Sequence, residues 1–102
     1  MATPVENAFT DYETVAASQS TQVLGSTGNK GDFLSHIVIQ PATTGAGTIT
    51  VFDGTTAVFV FTTGTLADLS PKTVPFGAKS VNGAWNITTG ANVAVVAVGK
   101  FT

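Results

Sequence analysis

The sequence predicts an all-β protein, a compact antiparallel β-sandwich of about seven to eight strands with a jelly-roll-like arrangement. Three observations support this prediction. Short segments rich in β-branched and aromatic residues recur along the chain, turn-forming Gly, Pro, Asn and Asp residues separate them, and no helical periodicity continues beyond residue 14. Because the chain has no Cys, it lacks the Cys–Trp–Cys pattern of immunoglobulin domains, which favours the jelly roll.

The clearest strand pair is predicted at residues 48–61, which read TITVFDGTTAVFVF. Two apolar arms flank Asp53–Gly54, and this dipeptide is typical of a type I′ hairpin turn with positive φ at both central residues. The second arm is apolar on both faces, with Val58 and Val60 on one and Phe59 and Phe61 on the other. We expect one face to meet the core and the other a second layer or a neighbouring subunit. Phe59 and Phe61 are therefore candidate interface residues.

Further strands are predicted at residues 14–24, 32–40, 72–76, 84–88 and 92–98. In the second of these, alternation places Phe33 and Ile37 on the face opposite Leu34. Residues 25–31, with three Gly, form a connecting loop, and Asn82–Gly83 predicts a second type I′ turn. Pro75 requires an edge strand because proline cannot donate a hydrogen bond to a neighbour. The last strand is apolar on both faces, which favours a central position.

The N-terminal segment, residues 1–13, is predicted to differ from the β-sandwich domain at residues 14–102. Thr3, Pro4 and Glu6 fit a helix-capping box, and three apolar residues follow at helical spacing. An extended arm that docks on a neighbouring molecule is the alternative, because short isolated helices are marginally stable. Both remain open. In either case the segment contributes the candidate interface residues Val5, Phe9 and Tyr12.

The composition of the 102-residue chain predicts a single domain whose surface is partly covered by neighbours. Only 10% of residues are charged, against about 25% in ordinary soluble domains. The net charge is −2 and Arg is absent, which disfavours nucleic-acid binding. No apolar run approaches the ~20 residues of a membrane-spanning helix, and the residues after Met1 do not resemble a signal peptide.

Catalytic chemistry is not expected, and we predict no catalytic, cofactor-binding or metal-binding residues. His36 is the single histidine and lies in a predicted strand, without a nucleophile motif or the other ligands that a metal site needs. Asp53 is assigned to its turn. Trp85 is expected in the core, although Trp85 or Tyr12 could stack on sugar rings in a glycan-binding module.

Three segments carry a family resemblance. They are TVAASQSTQVLG at 14–25, KGDFLSHIVIQPATT at 30–44 and GAWNITTGANVAVVAVG at 83–99. Together with the 48–61 hairpin, they resemble small structural proteins of tailed double-stranded-DNA bacteriophages. The resemblance implies a capsid decoration (cement) protein that is made in the host cytoplasm and binds the major capsid protein on the capsid exterior.

We expect a homo-oligomer with closed symmetry, with a trimer favoured, because identical loops would then meet a symmetric shell. The alternative is a module of the tail, neck or capsid exterior that binds a host-surface glycan or receptor.

Overall fold

The computed structural model describes residues 11–42, 47–61 and 70–102, which form two antiparallel β-sheets. Within these ranges there are eight strands and no helix, and hence no helix that could span a membrane. The strands are β1 (Asp11–Val15), β2 (Gln22–Val23), β3 (Phe33–Pro41), β4 (Ile49–Asp53), β5 (Thr56–Phe61), β6 (Lys72–Lys79), β7 (Trp85–Thr89) and β8 (Val93–Lys100).

The predicted all-β sandwich and its jelly-roll order are confirmed. Sheet I has the order β1-β8-β3-β6 and sheet II the order β2-β7-β4-β5. The first strand therefore pairs with the eighth, the second with the seventh, the third with the sixth and the fourth with the fifth. This nested pairing is the arrangement obtained when one long hairpin is wrapped into two facing sheets.

The core lies between the sheets and consists of alternating inward residues from both. Strand β8 shows the alternation most clearly, because Val93, Val95 and Ala97 are buried while the residues between them are half-buried. The Phe76 ring of β6 contacts both Phe59 and Trp85 at the side of the sandwich. The buried apolar side chains are Val15, Leu24, Leu34, Ile37, Ile39, Ile49, Val51, Trp85, Ile87, Val93, Val95 and Ala97.

The single strand expected at residues 14–24 is wrong. The chain leaves sheet I after Val15 and enters sheet II at Gln22, and Ser18 and Thr21 take positive φ on the way. The small and polar residues between these strands prefer neither face, so the sequence pattern does not reveal the crossing. Residues 11–13, which the sequence placed in the N-terminal segment, belong to β1. Residues 1–10 lie outside the described ranges.

The two expected type I′ turns are also corrected. Asp53 is the last residue of β4 and pairs with Thr56, so the central turn residues are Gly54 and Thr55. Only Gly54 has positive φ, at +63°, which is the type II′ pattern. The Asn82–Gly83 segment makes no hairpin, because it connects β6 in sheet I to β7 in sheet II.

Irregularities in register change which residues face the core. β3 has an extra residue at Ser35 relative to β8, and this bulge turns Leu34 inward beside Ile37, contrary to simple alternation. β6 has an extra residue relative to β3 where Gly77 takes a φ of +62°. The predicted break at Gly77 is therefore a bulge within a longer strand. Pro75 lies in an edge strand, as expected.

Candidate interaction surfaces

The outer face of sheet I carries two rows of side chains across all four strands. Register aligns Tyr12 of β1, Val98 of β8, His36 of β3 and Pro75 of β6 in one row. Directly paired residues of an antiparallel sheet project to the same side. The second row lies two residues further along each strand. We call these eight residues the Tyr12 face: Tyr12, Thr14, His36, Val38, Thr73, Pro75, Val96 and Val98.

The Tyr12 face mixes aliphatic side chains with tyrosine, histidine and threonine, and carries no carboxylate or ammonium group among its eight residues. Tyr12 has 74% of its surface exposed, whereas Val96 and Val98 are half-buried by their neighbours in the sheet. Lys100 and Asp11 lie at one end, with 4.0 Å between Lys100 Nζ and Asp11 Oδ2. A tyrosine beside flat aliphatic residues is typical of protein contact surfaces, because its ring is apolar and its hydroxyl can hydrogen-bond.

His36 is the histidine of the Tyr12 face. Its Nδ1 lies 3.1 Å from the Ser35 hydroxyl. Asp32 does not pair with it, because the bulge at Ser35 intervenes and Asp32 is buried with other partners. The described residues contain no group of three or more His, Asp or Glu arranged to hold a metal ion. A hydrogen-bonded His in this row can contribute a contact to a partner.

The edge strand β5 forms a second candidate surface. Val58 and Val60 project outward with 45% and 51% of their surfaces exposed. Among the described strands, β5 has a neighbour on one side only, which is β4. The exposed side chains and the edge backbone could both contact a partner.

The other sheet edges carry features that oppose strand addition. Strand β6 has Pro75, the Gly77 bulge and a lysine at each end, whereas β2 is two residues long. Strand β1 carries Asp11 and Glu13. Charges, proline, bulges and short length all limit edge-to-edge pairing. Strand β5 has an irregularity opposite Val51 and Phe52 but no charge and no proline.

The residues that the sequence predicts for an interface do not lie together in the structure. Tyr12 is exposed on β1. Phe59 and Phe61 are half-buried and pack against the core, with their ring centroids 6.1 Å apart. On β5 it is therefore the opposite face, Val58 and Val60, that is exposed. Val5 and Phe9 lie outside the described residues.

The carboxylate of Asp53 holds three backbone amides, which the sequence analysis did not anticipate. Its Oδ2 accepts a hydrogen bond from Val81 N at 3.0 Å, and its Oδ1 accepts from Asn82 N at 3.0 Å and Gly83 N at 3.2 Å. Gly54 N donates to Ala84 O at 3.0 Å. We call Asp53, Gly54, Val81, Asn82 and Gly83 the Asp53 cluster. It fixes the β4–β5 turn to the connection between the sheets.

Two opposing effects act on the pKa of Asp53. Burial raises the pKa of this carboxyl, because only 4% of the residue is exposed. The hydrogen bonds from Val81, Asn82 and Gly83 outweigh burial and hold the pKa below its ordinary value. Asp53 is therefore ionised at neutral pH, and its charge is compensated by amide dipoles.

A second buried carboxylate, Asp32, lies at the same end of the sandwich as the Asp53 cluster, because Ser80 N donates to its carbonyl oxygen at 2.9 Å while the next three residues bind Asp53. Asp32 accepts hydrogen bonds from Asn29 N at 3.0 Å and Thr102 N at 3.1 Å. Its own carbonyl accepts from Trp85 Nε1 at 2.9 Å. Trp85 lies in the core, as the sequence predicted. In the sequence, the only sign that Asp32 and Asp53 have structural partners is that carboxylates are rare in this chain. The partners themselves lie far away along the chain, so no local pattern identifies them.

Comparison with protein-family models, curated proteins and solved structures finds no match.

Proposed function

We propose that this protein is a bacteriophage capsid decoration protein, which binds the assembled head shell and stabilises it through protein–protein contacts. The observation that carries the proposal is the Tyr12 face, a sheet surface of aliphatic and uncharged hydroxyl side chains with one histidine, without carboxylate or ammonium groups, that projects an exposed tyrosine. The resemblance of residues 14–25, 30–44 and 83–99 to phage structural proteins supports it, as does the low charge of the chain.

The size of the Tyr12 face suits repeated contacts on a lattice. Four strands about 4.8 Å apart and a few residues at about 3.4 Å each give a flat area on the order of 300 Å². A stable pairwise interface usually buries roughly 800 Å² per partner. One face is thus too small for tight binding on its own, but several linked copies that bind together gain affinity through effective concentration.

The β5 edge would supply that linkage between copies. Exposed Val58 and Val60 lie on the sheet opposite the Tyr12 face. Subunits could therefore associate through β5 while the outer face of sheet I meets the major capsid protein. A trimer would carry three such faces to a shell of matching symmetry. Binding to assembled shells, and not to free capsid subunits, would shift assembly forward by mass action.

The test uses empty shells of a phage that carries this chain. Tyr12→Ser should weaken co-sedimentation with shells and reduce the gain in their heat tolerance, because it removes the most exposed ring of the face. Val81→Ser is the matched control. Val81 is also exposed and apolar, at 69%, but lies in the connection between sheets and away from the face. Its variant should bind as the wild type does.

Subunit association is measured separately by light scattering. The double variant Val58→Ser, Val60→Ser should shift the protein towards the monomer and weaken shell binding through lost avidity, while V81S stays an oligomer. A wild-type protein that is monomeric at all concentrations would contradict the oligomer. Wild-type protein that leaves shells unchanged in binding and heat tolerance would contradict the decoration function.

The second candidate, a module for a host-surface glycan or receptor, rests on the exposed Tyr12 ring. Trp85, the larger aromatic platform, is buried against sheet I and gives this candidate no support. Binding of the purified protein to host-cell envelopes that is lost in Y12S, without any effect on shells, would favour the glycan-binding function.

A further inference from the structure

We propose that Asn82–Gly83 is a site of spontaneous deamidation and that the Asp53 cluster protects it from reaction in the native protein. This inference is independent of the proposed function. Of the five Asn residues in the chain, Asn82 alone is followed by Gly, the others preceding Ala, Lys, Ile or Val. A following Gly has no side chain to hinder its nitrogen, which makes this dipeptide the intrinsically most reactive one.

The reaction uses only the chain and water. The backbone nitrogen of Gly83 attacks Cγ of Asn82, so that a new N–Cγ bond forms and the Cγ–Nδ2 bond breaks. Nδ2 leaves as ammonia and takes the proton that the Gly83 nitrogen loses. Water then opens the cyclic imide at either carbonyl, giving aspartate or isoaspartate. In total one water is consumed and one ammonia is released.

The native structure occupies both reacting groups. The Gly83 N–H, which must lose its proton, donates to Asp53 Oδ1 at 3.2 Å. A carboxylate at this distance disfavours a developing negative charge on that nitrogen, because like charges repel. The side-chain amide of Asn82 donates to Thr56 Oγ1 at 3.2 Å, which holds Nδ2 towards the β4–β5 turn.

Close packing also restricts movement of the segment. A Cβ built on Gly54 would lie 3.1 Å from Gly83 N and from the carbonyl carbon of Asn82. A Cβ on Gly83 would lie 3.0 Å from Gly54 Cα. The two glycine backbones are therefore in direct contact, and the rotation that brings Cγ to the nitrogen requires the turn and the connection to separate. The reaction therefore requires local opening of the Asp53 cluster.

The product would weaken the cluster that had prevented its formation. Asn82 N lies 3.0 Å from Asp53 Oδ1, so a carboxylate on residue 82 places a second negative charge near the first. Isoaspartate in addition lengthens the backbone by one methylene between two amides that bind Asp53. Deamidation is thus a one-way change that loosens the connection between the two sheets.

The experiment compares the full chain in native buffer and in urea at mildly alkaline pH. Tryptic cleavage after Lys79 and Lys100 yields one peptide, residues 80–100, that contains Asn82, Asn86 and Asn92. Mass spectrometry with fragmentation therefore reads all three sites together, and Asn86 and Asn92 serve as internal controls. We expect Asn82 to dominate in urea, and to react at least about tenfold more slowly in the native protein.

Two variants test this protection in the folded protein. Thr56→Val releases the Asn82 side chain, and Asp53→Ala removes the charge beside the Gly83 nitrogen without creating a second Asn–Gly pair; each should accelerate native deamidation of Asn82 several-fold. Asp11→Ala is the control for Asp53→Ala, since it makes the same chemical change at an exposed position. Circular dichroism establishes that each variant is folded.

Equal rates at Asn82 in native and urea-unfolded wild type would overturn the proposal, as would preferential reaction at Asn86 or Asn92 in urea. Wild-type rates in both folded variants would do the same. If Asp53→Ala does not fold, Thr56→Val decides alone, and a wild-type rate in it overturns the proposal.

Discussion

At the scale of single residues, two aspartates in a charge-poor chain hold together the connections at one end of the sandwich. Asp53 collects three amides from a segment 28–30 positions away, and Asp32 holds Thr102 across 70 positions. The sequence placed Asp53 at a turn but could not identify its partners, because no local pattern records contacts of this length. Gly54 was located correctly by the rule that tight turns need positive φ, although the turn type was wrong.

The β4–β5 turn predicts different tolerances at adjacent positions. Gly54→Val forces a β-branched residue to a φ of +63° and places its Cβ 3.1 Å from Gly83 N. We expect a loss of about 2 kcal/mol in the free energy of unfolding. Thr55→Val should change it by no more than about 0.5 kcal/mol, since Thr55 is exposed without positive φ. Urea denaturation measures both, and equal midpoints would refute the turn.

Asp53 predicts a pH dependence of stability. Its native pKa lies below the unfolded value, so its ionised form stabilises the fold above the unfolded pKa, and this contribution is lost as pH falls through the native pKa. Asp53→Asn should therefore be less stable than wild type at neutral pH by about 2 kcal/mol. The difference should shrink in strong acid. A difference that stays constant to the lowest pH at which both variants fold would contradict this assignment.

At the scale of strands, residue composition predicted where strands lie better than how they join. The segments around β3, β5, β7 and β8 were located within two residues, because runs of β-branched and aromatic residues are long and well bounded there. The division between β1 and β2 was missed because the residues at the crossing between sheets show no preference for either face. The bulge at Ser35 was missed because it is defined by the pairing of β3 with β8, which is far away in sequence. The Tyr12 face was likewise invisible, because it is assembled by register from four strands.

Substitutions at Gly77 and Gly99 separate the energetic cost of an unfavourable backbone conformation from the cost of a steric clash. Gly77 has a φ of +62° with no atom within 4 Å of a built Cβ, so Gly77→Ala should cost only about 1 kcal/mol. A Cβ on Gly99 would overlap the Phe33 carbonyl oxygen where β8 meets β3. Gly99→Ala should cost more than about 3 kcal/mol or prevent folding. Thermal denaturation compares them, and the reverse order would contradict the described register.

At the scale of the whole molecule, the nested pairing joins strands adjacent in sequence, β4 and β5, and strands far apart in sequence, β1 and β8. β4 and β5 are separated by two residues, whereas β1 and β8 lie at opposite ends of the described chain. Forming the distant pair requires closure of a long loop, which is entropically unfavourable early in folding. The central hairpin should therefore form first.

Matched substitutions test this order. Val51 in β4 and Val15 in β1 are both fully buried, and replacement of either by Ala should cost about 2 kcal/mol. Val51→Ala should mainly slow folding, whereas Val15→Ala should mainly accelerate unfolding. Stopped-flow measurements in urea separate the two rates. Identical partition of both losses between folding and unfolding would rule out this sequence of events.

The pairing of β1 with β8 also determines how the molecule responds to mechanical load. Asp11 is aligned with Gly99, so the first and last described strands present their outer ends side by side. Tension applied at those two ends would peel the strands apart one hydrogen-bonded pair at a time, a geometry with low resistance to force. Load applied through the broad surface of the sheet would instead be distributed over all four strands at once. A subunit that binds through that surface would therefore resist a load that would separate its strands if it were applied at their ends.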